Sequence, residues 1–379
     1  MSPMKIVLNS FRYIVGVLFI FSGFVKLVDP AGTAIKLEEY FETFSIVIVP
    51  FFELLMPHAL FFSVFLSTLE IVLGVALLLL FRMKVTTTTL LLLMIFFTGL
   101  TYYSASCDPK NEAGVSCVTD CGCFGDAMPL EPWESFTKDV ILSLMIIPLF
   151  LYRKKFHSLF DNGIGAFIVG LSTVLCLIFA HYNLSHLPLI DFRPYAVGKD
   201  IREQMNNGKP GVYEYVMIKD GEEKTFEKYP TGKDAEGYEF VEMKTVKEPE
   251  SPVITDFAAY NEAGENKTEQ LLTGKKLYVV SFKLSKVSEK QAQNMANLMK
   301  EVASTDITPV LVMSADFETA QLFQEQYKID VPAYSLDETV IKAMIRSNPG
   351  YMLLEDGVVR GKWHFNDIPS VDKLKERID

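Results

Sequence analysis

The chain has 379 residues, 49% of them hydrophobic, with a positive mean hydropathy and yet a formal net charge of −11, so it reads as apolar spans joined to an acidic soluble part. The acidic balance removes the usual electrostatic basis for binding nucleic acid. Five cysteines, four of them clustered, do not make a disulfide-rich scaffold.

Five segments meet the roughly 20-residue apolar length of a membrane span: 7–28, 59–81, 86–105, 135–152 and 163–182. The first is not followed by a small-residue cleavage site and is read as a retained span rather than a signal peptide. Stretches 66–81 and 90–100 are apolar all round, which favours lipid-facing helices. The stretch 35–56 mixes Glu38, Glu39, Glu42 and Glu53 with aromatic residues and ends beside Pro57. It is expected to be a helix lying at the interface or capping the bundle, not a span.

Orientation follows from Lys and Arg. Lys5 and Arg12 precede the first span, Arg82 and Lys84 separate the second from the third, and Arg153, Lys154 and Lys155 follow the fourth. The other connections are acidic, with Glu38, Glu39 and Glu42 in one and Asp108, Glu112, Asp120 and Asp126 in the other. This asymmetry puts the N-terminus in the cytoplasm and both acidic connections outside, together with everything after about residue 183. Arg12 and Lys26, near opposite ends of the first span, are expected to snorkel to the two interfaces. Glu70 lies too deep for that and either pairs inside the bundle or serves a quinone or proton path. Gly16, Ser22, Gly23 and Gly74 suit close helix packing.

Cys107, Cys117, Cys121 and Cys123 fall in one loop, CDPKNEAGVSCVTDCGCFG, between the third and fourth spans. Three spacings in the membrane half carry a family resemblance: Arg12-x-x-x-Gly16 with FSGFVKLVDPAG at 21–32, Glu70-x-x-x-Gly74, and CGCFGD at 121–126. Over about residues 5–155 the chain resembles the DoxX-like superfamily and, within it, the MauE type of methylamine-utilisation membrane protein. The resemblance implies a four-helix bundle like that of vitamin K epoxide reductase and a part in forming disulfides of envelope proteins. The fifth span is then an addition.

Outside the cytoplasmic membrane a thiol pair can cycle between dithiol and disulfide, passing electrons to a partner or a quinone. Cys121 and Cys123 flank Gly122, and a disulfide between them would close a tight, reducible ring. Cys107 and Cys117 are a second pair or resolve the inner two. Permanent disulfides pinning the loop are the alternative, and four cysteines allow three pairings. A zinc site fits less well, because Cys-x-Cys departs from the usual ligand spacing and the loop has no His. Cys176, among Leu175, Leu177 and Ile178, reads as an inert packed thiol. Beyond the loop, Pro132 and Trp133 mark a helix start at the interface.

Past the last span, 183–199 holds Pro188 and Pro194, which prevent a continuous helix. Stretch 200–250 alternates apolar and polar residues around Asp220-Gly221 and is read as a small hairpin module. From about Ile254 strands and helices alternate: LYVVSF at 277–282, a helix over 288–303 with Ala292, Met295, Ala296 and Met299 on one face, and TPVLVM at 308–313. A helix capped by Asp316 and running to Tyr327, a short helix near 337–345, a hairpin at Asp356-Gly357 and a last helix from Ser370 follow. That order, implying an α/β sandwich, resembles a thioredoxin-like domain of the membrane-tethered TlpA/redoxin type over 253–379. Pro349 stands where that family keeps a cis-proline. The family's Cys-x-x-Cys should follow LYVVSF, but here the chain reads KLSKVSEKQ, and neither Ser285 nor Ser288 can exchange disulfides. His364 stands alone.

The expected architecture is a membrane all-α bundle (1–160) with the cysteine loop at 106–134, a fifth span and exit segment (161–199), a β-rich module (200–250) and a soluble α/β thioredoxin-like domain lacking its cysteines (251–379). The expected function is thiol–disulfide redox maturation of cell-envelope proteins at a bacterial inner membrane, through Cys121 and Cys123 with Cys107 and Cys117, exchanging with an envelope protein. Quinone is the one cofactor class this reading admits, with Glu70 as the residue toward it. The alternatives are an accessory or scaffold subunit with structural disulfides, and a quinone-linked respiratory subunit.

Overall fold

Long apolar runs leave the backbone no solvent to bond with, so they close their hydrogen bonds within helices. The computed structural model describes residues 3–107, 118, 122, 124–128, 130–219, 221–247 and 249–378, with backbone alone at 233–234. The chain divides into two units, Met1–Arg193 and Pro194–Asp379.

In the first unit, α1 (Pro3–Val28) leads through Asp29 into α2 (Pro30–Val47). Asp29 accepts a hydrogen bond from the Gly32 amide at 2.9 Å, and Pro30 sits at the first helical position where its missing N–H costs nothing. A 3-10 helix (Pro50–His58) runs into α3 (Ala59–Leu78), and α4 (Met83–Ser106), α5 (Pro132–Leu151) and α6 (Asn162–Ser185) complete the bundle. The stretch 35–56, expected as one helix, is two pieces. It breaks at Pro50, and α2 turns Leu37, Tyr40, Phe41 and Phe44 inward as a cap.

Glycine sets the closest helix approach. A Cβ added to Gly74 would lie 2.7 Å from the Gly16 carbonyl oxygen, and one added to Gly23 would lie 2.5 Å from that of Ser67. α1 and α3 therefore touch backbone to backbone at two levels, as the small residues predict.

Four helical stretches are long and apolar enough to cross a membrane: Pro3–Val28, Pro50–Leu78, Met83–Ser106 and Asn162–Ser185. Four of the five expected spans are thus met. The fourth, 135–152, forms α5 but carries Glu134, Lys138 and Asp139 in its first half and is not among them. The two ends of the bundle differ in charge. The Leu159 amide donates to the Leu79 carbonyl at 3.3 Å, tying the connection after Arg153, Lys154 and Lys155 to the turn carrying Arg82. At the opposite end Asn183 Nδ2 donates to the Leu27 carbonyl at 2.9 Å, and Gly125 lies against Val25.

The two cations expected to snorkel are buried among protein atoms rather than extended to the surface of the first helix. Arg12 and Lys26 are 4% and 9% exposed. Arg12 lies over the Tyr13 ring at 4.3 Å, and Lys26 turns inward to a carboxylate. The close α1–α3 crossing puts a partner within its reach, and a paired charge is less costly than one stretched toward water past apolar neighbours.

The second unit begins with α7 (Ile201–Asn206), capped by Asp200, and an antiparallel sheet in the order β2-β1-β3. Its strands are β1 (Val212–Lys219), β2 (Glu222–Phe226) and β3 (Glu239–Lys247). Lys219 pairs with Glu222 across the expected turn, where Gly221 takes a positive φ of 86° and Asp220 lies outside the described residues. The third strand was not anticipated.

Then come α8 (Thr268–Leu272), β4 (Lys275–Ser281), α9 (Glu289–Val302), β5 (Thr308–Met313), α10 (Phe317–Tyr327), β6 (Ala333–Ser335), α11 (Glu338–Met344), β7 (Gly350–Glu355), β8 (Val358–His364) and α12 (Val371–Lys375). The sheet order is β6-β5-β4-β7-β8, with β4, β5 and β6 parallel and β7 and β8 antiparallel. Leu277, Val279, Leu311, Met313, Tyr351 and Leu353 face α9, α10 and α12. Alternate residues face the other way, where the Tyr278 hydroxyl donates to the Leu271 carbonyl of α8 at 2.8 Å. The expected α/β class holds. So do the cap at Asp316, the helix starts at Ser288, Asp337 and Ser370, which prove to be caps as well, the Asp356-Gly357 turn and a cis bond at Asn348-Pro349.

Candidate functional site

Inside the first unit, α1, α2, α3, α4 and α5 enclose a cavity of about 480 Å³. Its walls are chiefly apolar, including Phe19, Leu66, Phe97 and Leu142. Two buried carboxylates interrupt them. Glu70 of α3, its side chain 2% exposed, accepts from Lys26 Nζ of α1 at 2.6 Å. Asp139 of α5, 3% exposed, is paired with Lys138 at 3.1 Å, and the Thr101 hydroxyl of α4 lies 3.1 Å from its Oδ2. Lys26 Nζ also sits 4.9 Å from the Phe97 ring centre, where the ring face adds cation–π attraction.

Glu70 is therefore where the sequence reading put it, inside the bundle with a partner, and the partner is Lys26. Sequence reasoning missed Asp139 and Lys138. The signal was there in a helix start carrying three charges where an apolar span was expected.

The cysteine loop borders this cavity. Gly122 and Phe124 are among its lining residues. Gly122 takes a φ of +63°, a conformation glycine enters without strain, and packs toward Lys36 of α2. Phe124 packs on Phe21 at 5.6 Å between ring centres, and Lys138 Nζ lies 4.7 Å from its ring. Val118 is buried with Tyr40 and Phe44. Cys107, at the end of α4, is disulfide-bonded. Its partner lies outside the described residues, as do Cys117, Cys121 and Cys123. Among the described residues no group of His, Cys, Asp and Glu could hold a metal ion. Cys176 is a free, buried thiol in a cluster with Leu27 and Ala180, as expected of a packing residue.

In the second unit, the place after β4 where the resemblance expects Cys-x-x-Cys is closed by Asn348. Its Oδ1 accepts from Ser281 Oγ at 2.8 Å, and its Nδ2 donates to the Lys283 carbonyl at 2.9 Å. Ser288 Oγ caps α9 by accepting from the Gln291 amide. His364 is 2% exposed, and its Nδ1 accepts from the Asn366 amide at 3.2 Å. These are packing and capping roles. Burial raises the Tyr278 and Tyr351 phenols above the ordinary range, which keeps both neutral.

Residues 4–152 match the family described as methylamine utilisation protein MauE. Among curated proteins none matches the chain. A solved structure, a secreted Mycobacterium tuberculosis disulfide oxidoreductase homologous to E. coli DsbE, aligns at 18% identity over 32% of this chain and 94% of that one, with a TM-score of 0.25.

Proposed function

We propose that the protein is a membrane component of thiol–disulfide exchange for envelope proteins, working through the cysteine loop above the bundle cavity. A membrane-associated, redox-related role accords with the MauE match over residues 4–152. The observation that carries the finer reading is that Gly122 and Phe124, the sequence neighbours of Cys121 and Cys123, line a cavity containing two buried carboxylates, each paired with a lysine. Structural disulfides alone would need neither the cavity nor its charges.

In this reading a client thiolate attacks the loop disulfide, Cys121–Cys123 leaves as a dithiol, and the client leaves as a disulfide. Cys107 and Cys117 pass the exchange on or resolve it. The charge pattern of the two bundle ends supports a cytoplasmic N-terminus and an external loop at a bacterial inner membrane, with α5 as a further, less apolar crossing. The cavity lining fits a quinone: aromatic and aliphatic walls suit its ring and tail, and Lys26, Lys138 and Thr101 supply donors for its oxygens. When bound it would supply an acceptor for the two electrons and two protons of loop reoxidation. Lys26 and Lys138 would hold its polar end, with Glu70 and Asp139 keeping their lysines in place. The second unit has no thiol at the expected position, and Asn348 closes that site. This favours a docking role for it and keeps the scaffold reading as the second one.

The test is substitution of Cys123→Ser in the full chain, followed by incubation with oxidised glutathione, which a Cys121 thiolate attacks with release of reduced glutathione. A mixed disulfide on Cys121 is expected. No adduct in the variant, with the wild-type loop equally inert, would leave only the scaffold reading.

A further inference from the structure

We infer that Asp139 and Glu70 are the proton-carrying side chains of the cavity, taking the protons that the loop thiols release and passing them inward; the inference rests on the thiol–disulfide reading above. Two charged pairs inside an apolar bundle are costly, and apolar residues of the same volume would serve stability as well or better. Both line the same cavity, which points to chemistry.

Three features suit proton transfer. First, both carboxylates are paired with lysine rather than arginine. A lysine ammonium is a compact donor on a flexible stem that can be re-aimed when its carboxylate partner takes a proton, whereas a bidentate guanidinium fork fixes the carboxylate. Second, the Thr101 hydroxyl at 3.1 Å from Asp139 Oδ2 can both accept and donate a proton. Third, the Asp139 pair adjoins the loop, since Lys138 lies over Phe124, while Glu70 is held from α1 and α3. Among the described residues the other titratable groups on the cavity wall are Lys36 and Tyr40 of α2 and Glu134 of α5, and α6 contributes none.

The step balances as follows. Reoxidation of the loop dithiol breaks two S–H bonds and forms one S–S bond, sending two electrons and two protons to an acceptor of the quinone class. Asp139 takes each proton as an O–H bond and Glu70 receives it next, so neither proton need cross the apolar wall uncarried.

The experiment uses the full chain in lipid nanodiscs, with the loop reduced by dithiothreitol and the reductant removed. Reoxidation by a short-chain benzoquinone is followed by thiol trapping from pH 5 to pH 9. Asp139→Asn and Glu70→Gln are expected to slow reoxidation by about 10²-fold, the ordinary size of a lost proton-transfer group, and to make it pH-dependent where the wild type is flat. Added formate, a small mobile acid, should restore part of the rate in both. Infrared difference spectra on reoxidation of the reduced loop by ferricyanide, two equivalents of which take the two electrons and leave the two protons behind, should show a protonated carboxyl band that each variant diminishes. Should Glu70→Gln fail to fold with Lys26 left unpaired, the double variant Lys26→Met/Glu70→Met removes the pair whole and should show the same slow phase. Variants that reoxidise at the wild-type rate with an unchanged pH profile overturn the proton path and leave the thiol reading standing. A wild-type loop that dithiothreitol cannot reduce overturns both.

Discussion

Replacing Lys26 by Met tests the buried pair directly. The change keeps side-chain bulk and leaves Glu70, 2% exposed, without its cation at 2.6 Å. Removing one partner of a buried pair costs about 3–5 kcal/mol, and a lone charge at a helix centre about 2.5–3.5 kcal/mol on insertion scales. The ranges overlap near 3 kcal/mol. For a unit of this size, a loss of that order lowers the melting temperature by about 6–12 °C. The two tryptophans make the assay selective, because Trp133 lies on α5 of the first unit and Trp363 on β8 of the second. In a Trp363→Phe background, thermal unfolding in nanodiscs followed by fluorescence reads the first unit alone. Adding Glu70→Met should recover the loss and give a unit as stable as the parent or more so. The reasoning fails if Lys26→Met alone moves stability by less than about 0.5 kcal/mol, the range of ordinary surface changes.

The helix crossing gives a paired prediction. Gly23→Ala pushes a Cβ to 2.5 Å from the Ser67 carbonyl oxygen and should cost about 1–3 kcal/mol, whereas Gly99→Ala meets nothing within 4 Å and should be neutral or slightly stabilising, both read by the same melts. In the second unit Asp316→Ala removes the cap that accepts from the Thr319 amide at 2.7 Å and should cost about 1 kcal/mol in denaturant unfolding followed at Trp363. Hydrogen bonds from Lys209 and Lys247 hold the Glu250 carboxyl down at about 2. A lowered folded-state value means that the tie is complete above the ordinary carboxylate range and is lost as pH falls from about 4.5 towards 2. Carboxyl-detected NMR should give a titration midpoint near 2 that rises part of the way in Lys209→Met and returns to the ordinary range only when Lys247→Met is added.

Much of the second unit was legible because its signals are local. Ser288, Asp316, Asp337 and Ser370 announce helix starts through bonds spanning two or three residues, and α9 buries the predicted Ala292, Met295, Ala296 and Met299 at helical spacing. Strand β3 was missed because every residue in it is exposed, so no buried face stamps an alternation on the sequence. The Lys26–Glu70 pair lies 44 positions apart, and only the glycine-set approach of α1 to α3 makes it. Snorkelling was a fair default for a lysine two residues from a helix end. It failed because a carboxylate was closer than the interface. Asp139 stayed hidden because an apolar-run reading treats charges at a span's start as flanks, whereas α5 turns this one into the cavity.

The central claim is that the loop thiols cycle. The most direct measurement is the reduction potential of the loop cysteines in the purified full chain, by thiol trapping across graded glutathione buffers. Exchange chemistry predicts a pair that equilibrates with glutathione, at a potential above about −300 mV. A potential below that value, with every loop cysteine resistant to the buffer, would contradict the account and leave the loop as a pinned cover over the bundle.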